Sequence, residues 1–413
     1  MTSVTSVTAA VPAASADSAN PIPPAIALDA AHVVQTYKRA PVVIDHGQGM
    51  TLYDTEGRAY LDFVAGIAVM ALGHSDPGVV AAIQEQAGRL MHVSNLFYTE
   101  PMARLAAQLC ELSFADRVFF CNSGSEANEG AIKFARRYAK ANGHDDKTQI
   151  VSFEHAFHGR TMGALAITPK EAYQAPFRPL MPDAILAPFN DVAALDTIIT
   201  ERTCAVFVEP VQGEGGVYPA TAEFMQALRA HCDRVDALLI CDEVQCGLGR
   251  TGDLWAHTAL GVTPDIMTLA KPLASGLPIG AILCTEAVAG KLKYGEHGST
   301  FAGGPLTCHV AEYVLDRIAD SAFLEHVSAM GDYLRERLSE INSPHIKQVR
   351  GRGLMVGVEL DIEASRIIDQ GPANGVLLVG AGANVIRLVP PLIVERSHID
   401  TLAEVLTTIL ANV

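Results

Sequence analysis

Basic residues are scarce in this 413-residue chain, which has 30 Lys and Arg against 46 Asp and Glu and a formal net charge of −16. A surface of this sign repels a nucleic-acid backbone and an anionic membrane, so we expect neither as a partner. Long apolar runs are also missing, since no stretch approaches the roughly 18 residues of a membrane helix. We therefore expect a cytoplasmic protein that binds any anionic ligand through a few local donors.

Paired cysteines and metal motifs are absent as well. The eight cysteines include no CxxC pair, and several lie in apolar runs, which is typical of buried thiols in a reducing compartment. None of the 14 histidines forms HxxxH or HExxH, so no metal site is expected. Hydrophobic residues make up 49% of the chain and charged residues 18%, which indicates an α/β enzyme of more than one domain.

The first 29 residues contain no Lys or Arg and are rich in Ala, Ser, Thr and Pro, which predicts a disordered tail rather than a targeting segment. Alternation over residues 50–63, with a turn at 54–57, predicts a β-hairpin. We expect residues 30–75 to form an N-terminal segment that packs with a small domain. Residues 76–310 would then form a large domain, and residues 311–413 the small C-terminal one.

Short apolar runs alternate with amphipathic stretches along the large domain. The predicted strands are 118–121, 150–153, 205–208, 237–241, 266–269 and 279–284. This rhythm predicts an α/β fold in which helices cover both faces of a mostly parallel sheet. A long helical pattern then runs to residue 340, followed by strands at 354–360 and 376–379 and a final helix over 398–410. These elements predict a smaller α+β domain.

The first candidate site lies where the strand at 118–121 runs into Asn122, Ser123, Gly124 and Ser125 and a helix begins. Free backbone N–H groups and the positive end of the helix dipole meet there, so a phosphate can be held without a lysine. The alternative is that Ser123 or Ser125 only caps the helix.

Two further strands end in ionisable residues. The apolar run 237–241 ends in Asp242 and Glu243, at the strand edge where open α/β sheets bind ligands. A carboxylate there needs a cationic partner, such as a protonated ring nitrogen or a metal, and a structural ion pair is the alternative. Lys271 follows the run 266–269, where burial would favour the neutral amine that attacks an aldehyde. A lysine that caps a strand at the surface is the ordinary alternative.

Two weaker tracts complete the set. Phe157 and Arg160 place an aromatic ring and a guanidinium three residues apart, and Ser299 and Thr300 place two hydroxyls among glycines. By itself Phe157 would be a core residue and the hydroxyls would belong to a loop. His155 and His158 would be a hydrogen-bonded pair near the surface. Together, however, a phosphate cradle, a carboxylate, a lysine and a flat ring are what pyridoxal phosphate requires of a protein.

From about residue 35 to the C-terminus the chain resembles the class III aminotransferases of fold type I, and most closely the acetylornithine aminotransferase group. The motifs that carry the resemblance are 122–128, 157–161, 209–216, 242–247, Lys271 and 298–300. It implies a Schiff base on Lys271, a ring nitrogen paired with Asp242 and a homodimer with shared active sites. The residues that it assigns to the cofactor are Gly124, Ser125, Phe157, Asp242, Glu243, Val244, Gln245, Lys271 and, from the neighbouring subunit, Thr300.

For the substrates, the resemblance implies that Arg160, with Ser299 nearby, binds the α-carboxylate of an acylated ornithine. Arg387 binds a second carboxylate, and Glu214 pairs with Arg387 when the amino donor is bound. The implied reaction is ping-pong transfer of a terminal amino group from N-acetylornithine to 2-oxoglutarate, as in arginine biosynthesis. N-succinylornithine of arginine catabolism, ornithine and 4-aminobutyrate are alternative donors. A non-catalytic binding module that kept the fold is the alternative of another class.

Overall fold

The structure, a computed structural model, describes residues 22–413. The strands are β1 (Ile44–Gln48), β2 (Thr51–Asp54), β3 (Ala59–Asp62), β4 (Arg117–Cys121), β5 (Gln149–Phe153), β6 (Ala184–Ala187), β7 (Thr203–Val208), β8 (Val211–Gln212), β9 (Tyr218–Pro219), β10 (Leu238–Asp242), β11 (Ile266–Leu269), β12 (Gly280–Cys284), β13 (Ile346–Arg352), β14 (Met355–Leu360), β15 (Val376–Leu377), β16 (Val379–Gly380) and β17 (Val385–Leu388). The helices are α1 (Pro24–His32), α2 (Ala65–Ala68), α3 (Pro77–Ala87), α4 (Glu100–Glu111), α5 (Gly124–Ala141), α6 (Met162–Ala166), α7 (Glu171–Gln174), α8 (Leu195–Ile198), α9 (Ala222–Val235), α10 (Glu286–Ala289), α11 (Pro305–Ile318), α12 (Ser321–Ser339), α13 (Ser365–Ile368) and α14 (Arg396–Leu410).

The central sheet has seven strands in the order β4-β12-β11-β10-β7-β5-β6. Only β12 runs antiparallel to its neighbours, β11 and β4, so the predicted mostly parallel sheet is confirmed. All six predicted strands lie in it. The seventh, β6, was missed because it is a four-residue edge strand whose side chains are mostly only half-buried, and so it gives a weak apolar signal.

Helices cover both faces of this sheet, as predicted. Alternate residues of β7 point to opposite sides, because side chains alternate along a strand. Phe207 packs in the cluster that contains Ala131 and Phe134 of α5, whereas Val206 packs in the cluster that contains Phe224 of α9. Strands buried on both faces explain why the sequence of this sheet reads as continuous apolar runs.

The C-terminal region forms a second sheet, β13-β14-β17-β16. The predicted long helix before it is two helices, because Asp320 ends the first segment and caps α12 by accepting a hydrogen bond from the Phe323 N–H. The predicted hairpin is confirmed as β2 and β3, and β15 joins it in parallel, with Val376 opposite Leu61. The N-terminal segment therefore pairs with a C-terminal strand, while the exact domain limits stay a prediction.

A disordered tail was predicted over residues 1–29. Of these, residues 1–21 lie outside the described part of the chain. Residues 24–29 belong instead to α1, which starts with a proline in its first turn and buries none of its residues. Within residues 22–413 no helix is both long and apolar enough to cross a bilayer. In the same range no group of three or more His, Cys, Asp or Glu side chains is placed to hold a metal.

Candidate active site

The carboxyl ends of β4, β10 and β11 border a cavity of about 350 Å³. It gathers residues that lie up to 210 positions apart in the chain, from Val69 to Ile279. Seven of the nine residues predicted to bind a cofactor line it: Gly124, Ser125, Phe157, Asp242, Val244, Gln245 and Lys271. The location agrees with the rule that open α/β sheets bind ligands beyond the carboxyl ends of their strands.

The first turn of α5 forms one wall of the cavity. Ser123 caps the helix by accepting a hydrogen bond from the Glu126 N–H at 3.2 Å, which is the capping role weighed above. No acceptor within residues 22–413 bonds to the N–H groups of Gly124 and Ser125. A Cβ on Gly124 would lie 2.6 Å from Val244 Cγ1, so only glycine fits here. The turn thus offers free N–H groups at a positive helix end, which suits a phosphate.

Asp242 forms the opposite wall and is buried. Its Oδ2 accepts hydrogen bonds from Asn128 Nδ2 at 2.7 Å and from His158 Nδ1 at 2.8 Å, and its Oδ1 accepts one from the Val244 N–H at 3.0 Å. Thr268 Oγ1 donates to Asn128 Oδ1 at 2.8 Å and so fixes the orientation of that amide. The carboxylate is held in one orientation toward the cavity.

His158 differs from the prediction of a surface pair with His155. It is buried in the cavity wall, whereas His155 is exposed and has a left-handed φ of +65°. Burial by itself would lower the pKa of His158, but the hydrogen bond and charge of Asp242 outweigh it and raise the pKa above its usual value. His158 is therefore a site residue that the sequence reasoning missed.

Glu209 was missed as well. It lines the cavity and accepts hydrogen bonds from the Phe157 N–H at 3.0 Å and the Gly213 N–H at 3.3 Å. Burial raises the pKa of Glu209 to about 7; His158 opposes the shift and Asp242 adds to it. Its signal in the sequence is the one that identified Asp242, an acid directly after a wholly buried strand.

Lys271 lies two residues after the end of β11 and lines the cavity. Burial lowers its pKa to about 8, with Arg387 adding to the shift and Glu214 opposing it. In a substantial fraction of molecules Lys271 is therefore the neutral amine near physiological pH. This is the form that condenses with an aldehyde.

Glu243 is not among the residues that line the cavity, and its cofactor role stays a prediction. Its carboxylate accepts hydrogen bonds from the Ala256 N–H at 2.7 Å, the His257 N–H at 2.8 Å and His257 Nδ1 at 2.6 Å. Because neighbouring side chains at a strand end point to opposite sides, Asp242 and Glu243 cannot both face the same cavity. Glu243 instead anchors the loop that carries Ala256 and His257.

Arg387 and Glu214 form the ion pair that the resemblance implied. Arg387 Nη1 is 2.5 Å from Glu214 Oε1 and 2.9 Å from Gln245 Oε1, and Arg387 is almost completely buried. Burial by itself would raise the pKa of Glu214, but the charges of Arg387 and Lys271 lower it below its usual value. These charges favour the carboxylate form of Glu214, and Lys271 is close enough to contribute to the shift.

None of the four residues predicted to bind substrates lines this cavity: Arg160, Glu214, Ser299 and Arg387. Arg160 is exposed, and its guanidinium lies 3.5 Å from the centre of the Tyr173 ring. The backbone N–H of Arg160 donates to Ser125 Oγ at 3.3 Å. Ser299 Oγ accepts a hydrogen bond from Asn122 Nδ2 at 2.9 Å, which places it beside the cavity rim. Thr300 is exposed. Its role in the cofactor site of a neighbouring subunit stays a prediction.

The donor set fits pyridoxal phosphate. The glycine-dependent helix start suits its phosphate, the oriented Asp242 suits a protonated ring nitrogen, and the low pKa of Lys271 suits the carbonyl carbon. The fold and the site therefore define an enzyme that uses this cofactor.

The comparisons with known proteins agree. The sequence pattern of the family "Aminotransferase class-III" matches residues 33–410. The chain is 54% identical over 383 residues to the acetylornithine aminotransferase, mitochondrial, of Alnus glutinosa. The matched region covers 91% of this chain and 84% of that relative. This chain belongs to the class III aminotransferases and is a pyridoxal-phosphate-dependent transaminase.

Two solved structures are similar over most of the chain. The N-acetylornithine aminotransferase of Stenotrophomonas maltophilia K279a is 39% identical, with a TM-score of 0.81, and covers 94% of this chain and 98% of its own. The ornithine aminotransferase of Toxoplasma gondii ME49 is 33% identical, with a TM-score of 0.90, and covers 94% of both chains. The fold is thus shared by enzymes that act on different donors.

Proposed function

We propose that this chain is an N-acetylornithine:2-oxoglutarate aminotransferase of arginine biosynthesis. It transfers the terminal amino group of N-acetylornithine to 2-oxoglutarate, giving N-acetylglutamate 5-semialdehyde and glutamate. The observation that carries the proposal is the Glu214–Arg387 pair near Lys271. One site must accept both a donor that has no carboxylate at its reacting end and a dicarboxylate that has one there. The name of the Alnus glutinosa relative supports the same substrate.

The pair lets one pocket serve both substrates. While Glu214 neutralises Arg387, the guanidinium of Arg387 is compensated and this end of the pocket accepts the terminal amine end of the donor. When Glu214 moves aside, Arg387 presents a guanidinium fork that binds the α-carboxylate of 2-oxoglutarate, next to the reacting keto carbon, in a bidentate manner. Arg160, at the rim, would bind the α-carboxylate of the donor.

The other groups handle protons. Pyridoxal phosphate, when bound, supplies the electron sink for the reaction. Lys271, with its pKa near 8, would act as the base that takes a proton from the donor carbon and, in the second half-reaction, as the acid that gives a proton to the former keto carbon of 2-oxoglutarate. Asp242, held by Asn128 and His158, would face the ring nitrogen of the bound cofactor and favour its protonated form.

We further propose that the active unit is a homodimer. Large apolar side chains are exposed in two segments near the cavity rim, and an apolar patch of this kind on a monomer marks an interaction site. These side chains are Leu96, Phe97, Tyr98, Tyr294 and Phe301. Thr300 lies in the same region and would complete the phosphate site of the partner. Sedimentation of the purified protein, and loss of activity on dilution below the dimer affinity, test this assembly.

A cytoplasmic location is part of the proposal. All eight cysteines are free, and seven of them are buried, which agrees with a reducing compartment. The Alnus glutinosa relative is called mitochondrial. Fractionation of cells that express the full chain distinguishes the two compartments.

The decisive experiment is the absorbance spectrum of the purified protein before and after N-acetylornithine is added, with Lys271→Ala as control. We expect the donor to remove the visible band of the lysine-linked cofactor and 2-oxoglutarate to restore it. Parallel titrations with N-succinylornithine, ornithine and 4-aminobutyrate rank the donors. Faster reaction with one of these would replace the proposed donor. A protein that never acquires the band with added cofactor would instead be a binding module.

A further inference from the structure

Arg350 of β13 connects the small sheet to the hairpin that carries Glu214. This hairpin consists of β8, β9 and the loop between them. Arg350 Nε is 2.9 Å from the carbonyl oxygen of Gly216 and 3.2 Å from that of Val217, and Nη2 is 2.7 Å from the Gly216 oxygen. Its guanidinium carbon lies 4.0 Å from the centre of the Tyr218 ring. One side chain therefore holds three consecutive residues of the hairpin.

The guanidinium is fixed from its other side as well. Nη1 donates to Gln348 Oε1 at 3.0 Å and forms an ion pair with Glu359 of β14. The side chain is only 8% exposed. A planar, rigid guanidinium bonded on both sides fixes the hairpin relative to β13 and β14, which a flexible lysine would not do.

The hairpin is strained at the position that Arg350 holds. Val217 has a φ of +57°, a conformation that is unfavourable for a β-branched residue, and it is completely buried. It packs on β14 at Gly357, where a Cβ would lie 2.9 Å from Val217 Cβ. Such a conformation persists only when its surroundings enforce it, and the contacts of Arg350 are part of that enforcement.

The backbone on both sides of Glu214 has no room to shift toward its neighbours. A Cβ on Gly213 would lie 2.3 Å from Gln245 Oε1, and one on Gly215 would lie 2.1 Å from the His155 oxygen. The Glu214 side chain, by contrast, is 30% exposed, whereas its partner Arg387 is 1% exposed. The side chain of Glu214 is thus the part of this assembly that is free to move.

We propose that Arg350 is a positioning residue for the Glu214–Arg387 pair and thereby sets the balance between the two substrates. It holds the hairpin so that Glu214 covers Arg387 at rest, and the exchange of substrates needs only a rotation of the Glu214 side chain. Without Arg350 the strained hairpin relaxes and Glu214 withdraws. Arg387 then stays uncovered, which disfavours the amino donor and favours dicarboxylates. This inference rests on the proposed use of one pocket by both substrates.

The test compares Arg350→Gln and Arg350→Lys with Arg352→Gln in the complete holoenzyme. Arg352 is a matched control, because it lies on the same strand and pairs with Asp253 of the large domain. Each half-reaction is followed separately by absorbance. For Arg350→Gln we expect the KM for the donor to rise about tenfold, the effect of losing a hydrogen bond from a charged group. The KM for 2-oxoglutarate should fall or stay constant, and the control should leave the ratio unchanged.

A binding measurement supplies a readout that does not depend on turnover. Glutarate, a dicarboxylate without a keto group, is titrated into each holoenzyme by calorimetry, with Glu214→Gln as a reference in which the pair is weakened. We expect Arg350→Gln to bind glutarate more tightly than the wild type, as Glu214→Gln does. If Arg350→Gln does not fold, Arg350→Lys and Tyr218→Leu carry the test, because each loosens the hold on the hairpin and keeps part of its contacts.

Three results would overturn the inference: equal changes in both KM values, a ratio like that of Arg352→Gln, or unchanged glutarate affinity. A failure of the proposed function looks different. In that case the wild-type enzyme itself would not respond to N-acetylornithine. The comparison of variants would then be made with the donor that the wild type accepts.

Discussion

His158 Nδ1 lies 2.8 Å from Asp242 Oδ2. The next residue after Asp242, Glu243, forms a similar pair, in which its Oε1 lies 2.6 Å from His257 Nδ1. Both histidines and both acids are buried. Only the first pair faces the cavity; the second points to the other side of the strand end. The structure therefore contains two matched pairs of the same chemistry, one in the cavity wall and one outside it.

We expect His158→Asn to reduce activity about 10- to 100-fold and to weaken cofactor binding, because Asp242 loses one of the partners that orient it. His257→Asn is the matched control and should lower stability with little effect on the turnover of the folded enzyme. Cofactor titration, steady-state kinetics and urea unfolding measure the three quantities. Equal losses of turnover in both variants would contradict a specific role for His158.

Glu243→Gln is expected to destabilise the fold by about 3 kcal/mol, the cost of breaking a buried pair. The amide cannot accept all three hydrogen bonds that the carboxylate receives from Ala256 and His257. The affinity of the folded protein for the cofactor should stay unchanged. Denaturant unfolding and cofactor titration test this. Full stability together with weak cofactor binding would instead support the cofactor role predicted from the sequence.

Gly124→Ala should weaken pyridoxal phosphate binding about tenfold, because the new Cβ would lie 2.6 Å from Val244 Cγ1 and push the helix start out of place. Val244→Ala in the same chain removes the obstructing methyl groups and should restore part of the affinity. Gly298→Ala is the control, since a Cβ there meets nothing within 4 Å. The dissociation constants of the cofactor decide the result, and a double variant no better than the single one would refute the steric explanation.

The rate at which the cofactor-free protein takes up pyridoxal phosphate should rise with pH through about 8. Burial lowers the pKa of Lys271 to about that value, and only the neutral amine reacts. Because the charge of Glu214 raises this pKa, Glu214→Gln should move the midpoint to lower pH. Stopped-flow absorbance across the pH range measures both midpoints. A midpoint near that of a free lysine, or a shift to higher pH in the variant, would contradict the assignment.

The sequence predicted the strands of the large sheet well where they are buried on both faces, as in β7 and β10, because such strands are short continuous apolar runs. It missed the half-buried edge strand β6, and it missed α1, which lies in a segment whose composition is typical of a tail. Composition and periodicity report burial, so elements that bury little leave a weak signal.

The sequence by itself determined which chemical groups the site contains: a helix start with Gly124 and Ser125, an acid at the end of β10 and a lysine after β11. It could do so because a polar residue at the end of a buried strand stands out locally. Only the tertiary structure decided which way each side chain points. Asp242 faces the cavity and Glu243 does not, and His158 is buried against Asp242 rather than near the surface.

The tertiary structure also decided the long-range pairs. Glu214 meets Arg387 across 173 positions, and Arg350 meets Gly216 across 134. Local patterns carry no information on such contacts, because these depend on how the sheets and the hairpin pack in space. The ionisable groups of the site can thus be read from the chain, whereas the contacts that hold Glu214 and Arg387 together exist only in the folded protein.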